Sequence, residues 1–195
     1  MKVLGTLCIM ALAMAIAITP ASAQLNSNQG TINLVASLPE SLTVNVTAGS
    51  TVNFTLAANT AANPGSTTSS VKTAWVLSTG RTAVTVWAWV ANGAAALNDG
   101  AGNNIAASQV TATAAGSGSA GGALNTSASG GAGVPTFIAP AAATGVQIGS
   151  VAINAGNRAS STTTTLTWNI NTTATPNLPA ANYNGTVNIQ AQATP

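Results

Sequence analysis

The sequence contains no histidine and a single cysteine, and it holds only four Lys or Arg and two Asp or Glu among 195 residues. Each scarcity excludes something. Without histidine there is no usual general base, no commonest metal ligand and no usual triad partner. Serine and threonine are plentiful, but a hydroxyl nucleophile needs a base, and no recognisable motif supplies one. The cysteine, Cys8, lies in a stretch that reads as a signal segment. The mature chain would then have no disulfide, no thiol nucleophile and no thiolate metal site. The cations that remain, Lys72, Arg81 and Arg158, are scattered rather than clustered. They cannot neutralise a run of phosphates, so nucleic acid is excluded as a partner.

What is present begins with export. Met1-Lys2 gives a short positive start, residues 3–18 are apolar, and Pro20-Ala21-Ser22-Ala23 ends in the small-x-small pattern of a cleavage site. Residues 1–23 therefore read as a signal peptide, and no membrane span is expected after its removal. The expected location is secreted or at the cell surface, by the Sec pathway, through a bacterial periplasm in transit. The mature chain would carry Lys72, Arg81 and Arg158 against Glu40 and Asp99, a net charge of +1. So little charge gives little repulsion between copies and tolerates self-association.

Past residue 24 the periodicity is two, not 3.6. Ile32, Leu34, Ala36 and Leu38 share one parity, Leu42, Val44 and Val46 the next run, and Val52, Phe54 and Leu56 another. Residues 71–77 carry Trp75. In residues 82–90, Val84, Val86, Ala88 and Val90 face one way and Trp87 and Trp89 the other. Apolar residues on both faces predict a central strand, or one whose second face meets a loop or partner. Residues 109–113 and 135–138 are weak strands. Residues 145–153 change parity at Gly149-Ser150, which predicts a bulge. Leu166, Trp168 and Ile170 face inward on a strand over 160–170. Residues 114–133 are almost wholly Ala, Gly, Ser and Thr and predict a surface loop or flap. No stretch has a helical period, so the fold class is all-β, an antiparallel β-sandwich. The organisation expected is a signal at 1–23, an extension or first strand at 24–38, and a sandwich at 39–195.

Three candidate chemistries each have a plainer alternative. Glu40 and Asp99 could form a glycosidase pair, or be two solvated loop carboxylates. Residues 98–104, Asn-Asp-Gly-Ala-Gly-Asn-Asn, could bind calcium, or be a turn; one carboxylate among amides makes a poor site. Trp87 and Trp89 could stack sugars in a carbohydrate-binding module, or pack a sheet face. The bland reading is preferred each time. No catalytic residue, no metal site and no cofactor is expected, and the chain is not read as an enzyme.

The most informative stretch is the last. Tyr183, Val187, Ile189, Ala191 and Ala193 alternate with Asn184, Thr186, Asn188, Gln190 and Gln192, after a turn at Leu178-Pro179. A tyrosine entering a late strand after a turn is the pattern of a tyrosine corner, after which one more strand normally follows in a Greek-key sandwich. The sequence Leu178-Pro179-x-x-x-Tyr183-x-Gly185-Thr186-Val187-x-Ile189 resembles bacterial fimbrial subunits of the chaperone–usher kind. In texture the chain is similar to alternative fimbrillins and spore-coat-U-like secreted proteins. The resemblance implies an immunoglobulin-like fold lacking or exchanging its last strand. It implies a donor strand bearing Ile32, Leu34, Ala36 and Leu38, and an acceptor edge bearing Tyr183, Val187, Ile189 and Ala191. The partners it implies are further subunits, a periplasmic chaperone and an usher. The absence of a mature disulfide and a terminal Pro195 depart from the commonest pattern. Whether residues 31–38 pair within their own chain or with a neighbour is open at this level.

Overall fold

The computed structural model describes residues 27–116, 118, 120–127 and 142–195. The signal segment and the weak strand expected at 135–138 lie outside them. The chain divides into Met1–Ser37 and Leu38–Pro195. Within the first unit, residues 27–37 form no strand, and Ile32, Leu34 and Val35 are 85%, 92% and 95% exposed. Residues 31–36, read as an extension or a first strand, make no strand pairing with other described residues. Alternation marks a stretch able to pair, but a strand exists only where a neighbour takes up its hydrogen bonds.

The second unit is built of short strands in the order β1 (Ser41–Ala48), β2 (Asn63–Pro64), β3 (Ser69–Val76), β4 (Ala83–Val90), β5 (Leu97–Asn98), β6 (Asn104–Ile105), β7 (Val110–Ala115), β8 (Gly121–Ala123), β9 (Thr126–Ser127), β10 (Thr144–Ala152), β11 (Ala159–Ile170) and β12 (Asn188–Thr194). One sheet runs β1-β3-β11-β7-β8, with β2 beside the end of β11; a second runs β12-β4-β10-β9; β5 and β6 form a separate ribbon. All pairings are antiparallel. The two larger sheets pack face to face, so the fold is an all-β sandwich.

Alternation explains the core. Val84, Val86, Ala88 and Val90 of β4 are buried, as are Leu166, Trp168 and Ile170 of β11 and Val71, Thr73 and Trp75 of β3. The opposite parity of β11 (Ser161, Thr163, Thr165, Thr167) is exposed, giving the apolar-in, polar-out pattern of a sheet with one solvated face. β4 has a neighbour on each side, so it is the central strand its two apolar faces predict. The bulge falls in β10 between Gln147 and Gly149, where the register with β4 shifts.

Two expectations need correction. Residues 52–56 alternate but make no continuous strand; among the described residues their only bridge is Phe54 to Gly65. The low-complexity stretch is not wholly loop. β7 runs on to Ala115, and Gly121–Ala123 pairs with it through Thr111–Thr113. Backbone pairing needs no large side chain, so a Gly/Ala stretch can complete a sheet edge without an apolar signal. Gly121 stands so close to β7 that a Cβ there would lie 2.6 Å from the Ala112 carbonyl oxygen.

Candidate functional site

β1 and β12 are both edge strands, each paired on one side only among the described residues. Between the chain just after β1 and the chain just before β12 the sandwich is open. The opening is a groove of about 1040 Å³. Its floor is the core itself, including Val71, Val110, Leu166, Trp168 and Ile170; Val46, Val52, Phe54 and Leu56 line one wall and Leu178, Tyr183, Val187 and Ile189 the other. These wall side chains, Val46 apart, are half-buried rather than buried.

The first wall hangs from the 63–66 turn. Asn53 donates its N–H to Ser66 Oγ at 3.1 Å and accepts from the Ser66 N–H at 2.8 Å. Gly65 in turn donates to the Trp168 carbonyl at 2.9 Å. A Cβ at Gly65 would meet Val52 Cγ1 at 2.5 Å, so any larger residue there would push this wall side chain aside. The Ala57 N–H donates to Asn63 Oδ1 at 2.7 Å and the Ala57 carbonyl accepts from Thr172 Oγ1 at 2.7 Å. Trp168 is pinned in the floor by Nε1 donating to Ser69 Oγ at 2.9 Å, while that hydroxyl donates to the Gly49 carbonyl at 2.7 Å.

The second wall is set by Tyr183. Its hydroxyl donates to the Pro179 carbonyl at 2.9 Å, closing the turn as the tyrosine-corner pattern predicts. Burial, and then the negative charge of Asp99, push the Tyr183 phenol above its ordinary value. Asn184 and Asn98 exchange two backbone hydrogen bonds of 2.9 Å, which hold this wall against the end of β5. Of the acceptor-edge candidates, Tyr183, Val187 and Ile189 line the groove. Ala191 lies further along β12 and packs on the core. Strand pairing starts at Asn188, so Tyr183 and Val187 precede β12 rather than belonging to it.

The donor candidates Ile32, Leu34, Ala36 and Leu38 are all exposed. Just beyond them Glu40 is tied to the sandwich. Its Oε1 accepts from the Ser78 N–H at 2.7 Å and its Oε2 from Arg81 Nη2 at 3.1 Å. The Arg81 side-chain hydrogen bond, then the one from Ser78, lower the Glu40 carboxyl to about 2. Glu40 raises the Arg81 guanidinium above its usual value in return.

The remaining candidates lie elsewhere. Asp99 spends its oxygens on its own loop: Oδ1 accepts from Ala101 N–H at 2.8 Å and Asn103 N–H at 3.0 Å, and Oδ2 from Asn103 Nδ2 at 2.6 Å. The Asn103 side chain leads in holding the Asp99 carboxyl below its ordinary value. Both carboxylates are thus pushed toward the ionised form, the opposite of what a glycosidase general acid needs. Among the described residues no three His, Cys, Asp or Glu side chains come together as a metal site. No helix there is long and apolar enough to cross a membrane. Trp87 is 4% exposed, and so buried a ring offers no face for a sugar to stack on; Trp89 is half-buried.

No protein family, curated protein or solved structure matches the chain.

Proposed function

We propose that the chain is an exported structural protein without enzymatic activity, a subunit of a surface pilus or coat assembled by β-strand addition. The observation that carries this reading is the groove that opens between the chain after β1 and the chain before β12, with core residues beneath it. Its wall side chains Val52, Phe54, Leu56, Leu178 and Val187 are only half-buried, so a side chain entering the groove would cover apolar surface that the sandwich leaves partly open. An extended segment with alternating apolar residues is the natural occupant, because backbone pairing gives affinity and every second side chain gives fit. Residues 32–38 are such a segment, and an exposed apolar comb of this kind is otherwise costly to leave in water.

Strand order supports an immunoglobulin-like reading. The order β1-β3-β11-β7 can be laid on A-B-E-D and β12-β4 on F-C, with the place of G beside β12 unfilled among the described residues, while β10, beside β4 but after β7 in the chain, departs from the immunoglobulin order. The tyrosine corner between β11 and β12 supports it as well.

We take the occupant to be the segment 32–38 of a second copy, because one chain's segment entering the next chain's groove is a head-to-tail contact, and repeated head-to-tail contacts build open filaments. Export through a periplasm, with a chaperone and an usher as transient partners, fits this reading. The test is direct. The purified chain from Gln24 onward is expected to form fibres or ladders that survive mild denaturant; a stable monomer by light scattering at high concentration overturns the proposal.

A further inference from the structure

The segment 184–188 has two sides. One borders the groove, and the other borders a second cleft, of about 410 Å³. Asn92, Asn98, Asn184 and Asn188 line this cleft, with small residues such as Gly185 between them, and no ionisable side chain is among its lining. The amides are not equivalent. Asn92 Oδ1 accepts from the Ala94 N–H at 3.0 Å, and Asn98 Oδ1 from the Gly100 N–H at 3.2 Å. Each of these oxygens is used within its own loop, which leaves the Nδ2 donors for the cleft. The Asn184 and Asn188 side chains make no hydrogen bond among the described residues, so they keep both donor and acceptor. The framework under them is fixed by the paired Asn98–Asn184 backbone bonds. Close packing adds to this, since a Cβ at Gly185 would strike the Ala96 carbonyl oxygen.

Four carboxamides lining one cleft select by chemistry. A charged ligand would lose water and meet no opposite charge, since Asp99 nearby has its oxygens turned into its own loop. An apolar ligand would strip the amides and replace none of their hydrogen bonds. A neutral polyhydroxyl compound replaces each one, and the volume is within the usual range for small-ligand sites. We propose that this cleft binds a neutral saccharide, with Asn184 and Asn188 as the principal contacts. The proposal does not rest on strand addition.

The test titrates the purified mature chain with neutral oligosaccharides of glucose, mannose and galactose, read by calorimetry and by retention on the immobilised sugars. Saturable binding to at least one is expected. Asn184→Ala and Asn188→Ala remove amides that hold nothing in the fold, so each should leave the melting temperature unchanged and weaken binding roughly tenfold. Either variant alone carries the test if the other fails to fold. No saturable binding to any of the three classes overturns the proposal. Binding that the double variant retains overturns it too, as does tighter binding of a sialylated or sulphated counterpart.

Discussion

Replacing Leu34 by Ala separates strand addition from nonspecific stickiness. Leu34 is 92% exposed in the chain, so truncating it removes almost no packing from the sandwich. The folded subunit should melt within about 0.5 kcal/mol of wild type, the usual range for a surface change. In a filament the same side chain would be buried, and losing it should cost about 2 kcal/mol per contact. At 1.4 kcal/mol per decade, the protomer concentration needed for half-assembly should rise roughly thirtyfold. Val35 is the internal control. It is 95% exposed, as apolar as its neighbour, and of opposite parity. An inserted strand that points Ile32, Leu34, Ala36 and Leu38 into a groove points Val35 away from it. Val35→Ala should therefore shift assembly little. Sedimentation velocity across a concentration series reads the assembly, and differential scanning calorimetry reads the subunit. Equal effects of the two variants on assembly would refute parity-specific insertion. A drop in subunit stability with Leu34→Ala would show that the segment packs on its own sandwich.

Two further outcomes follow from the walls and the clamp. Tyr183→Phe loses the hydroxyl bond to the Pro179 carbonyl and should lower stability by about 1 kcal/mol in urea unfolding at unchanged m-value; an unchanged midpoint would mean the corner is held by packing alone. Glu40, depressed to about 2 from an ordinary 4.5, contributes stability that is fully present above pH 4.5 and is lost as pH falls toward 2. The melting temperature should hold from neutrality to about pH 4.5 and then decline, and Glu40→Gln should flatten that decline; a carboxyl resonance of Glu40 titrating near 4.5 would contradict it.

Most of the sandwich was legible because alternation is a local property. Val84 to Val90 and Leu166 to Ile170 declare their inward face residue by residue, and the lone tyrosine after Leu178-Pro179 declares the corner. The failures share one cause. Pairing is a property of two segments, and the sequence displays one at a time. Residues 31–36 and 52–56 alternate as well as β1 does, yet neither finds a continuous neighbour. Gly121–Ala123 has no pattern at all and finds one. The groove was legible only as a question. Phe54 is more than a hundred positions from Trp168 and Tyr183 in the chain, and nothing local says that the three border the same space. The amide-lined cleft was hidden further, because asparagine is common throughout and only the fold shows which four line one cleft.

The clamp at Glu40 also sets how the molecule would carry load. A pull on the residues before it enters the sandwich at the start of β1. There Glu40 is bonded to Ser78 and Arg81, and Arg81 Nη1 donates to the Ala193 carbonyl on β12 at 3.4 Å. Tension is shared at once between the two edge strands and runs along β1, whose ladder to β3 lies across that direction. Such a ladder must shear as a whole rather than unzip bond by bond. Rupture is then governed by the rate of unfolding and not by equilibrium stability.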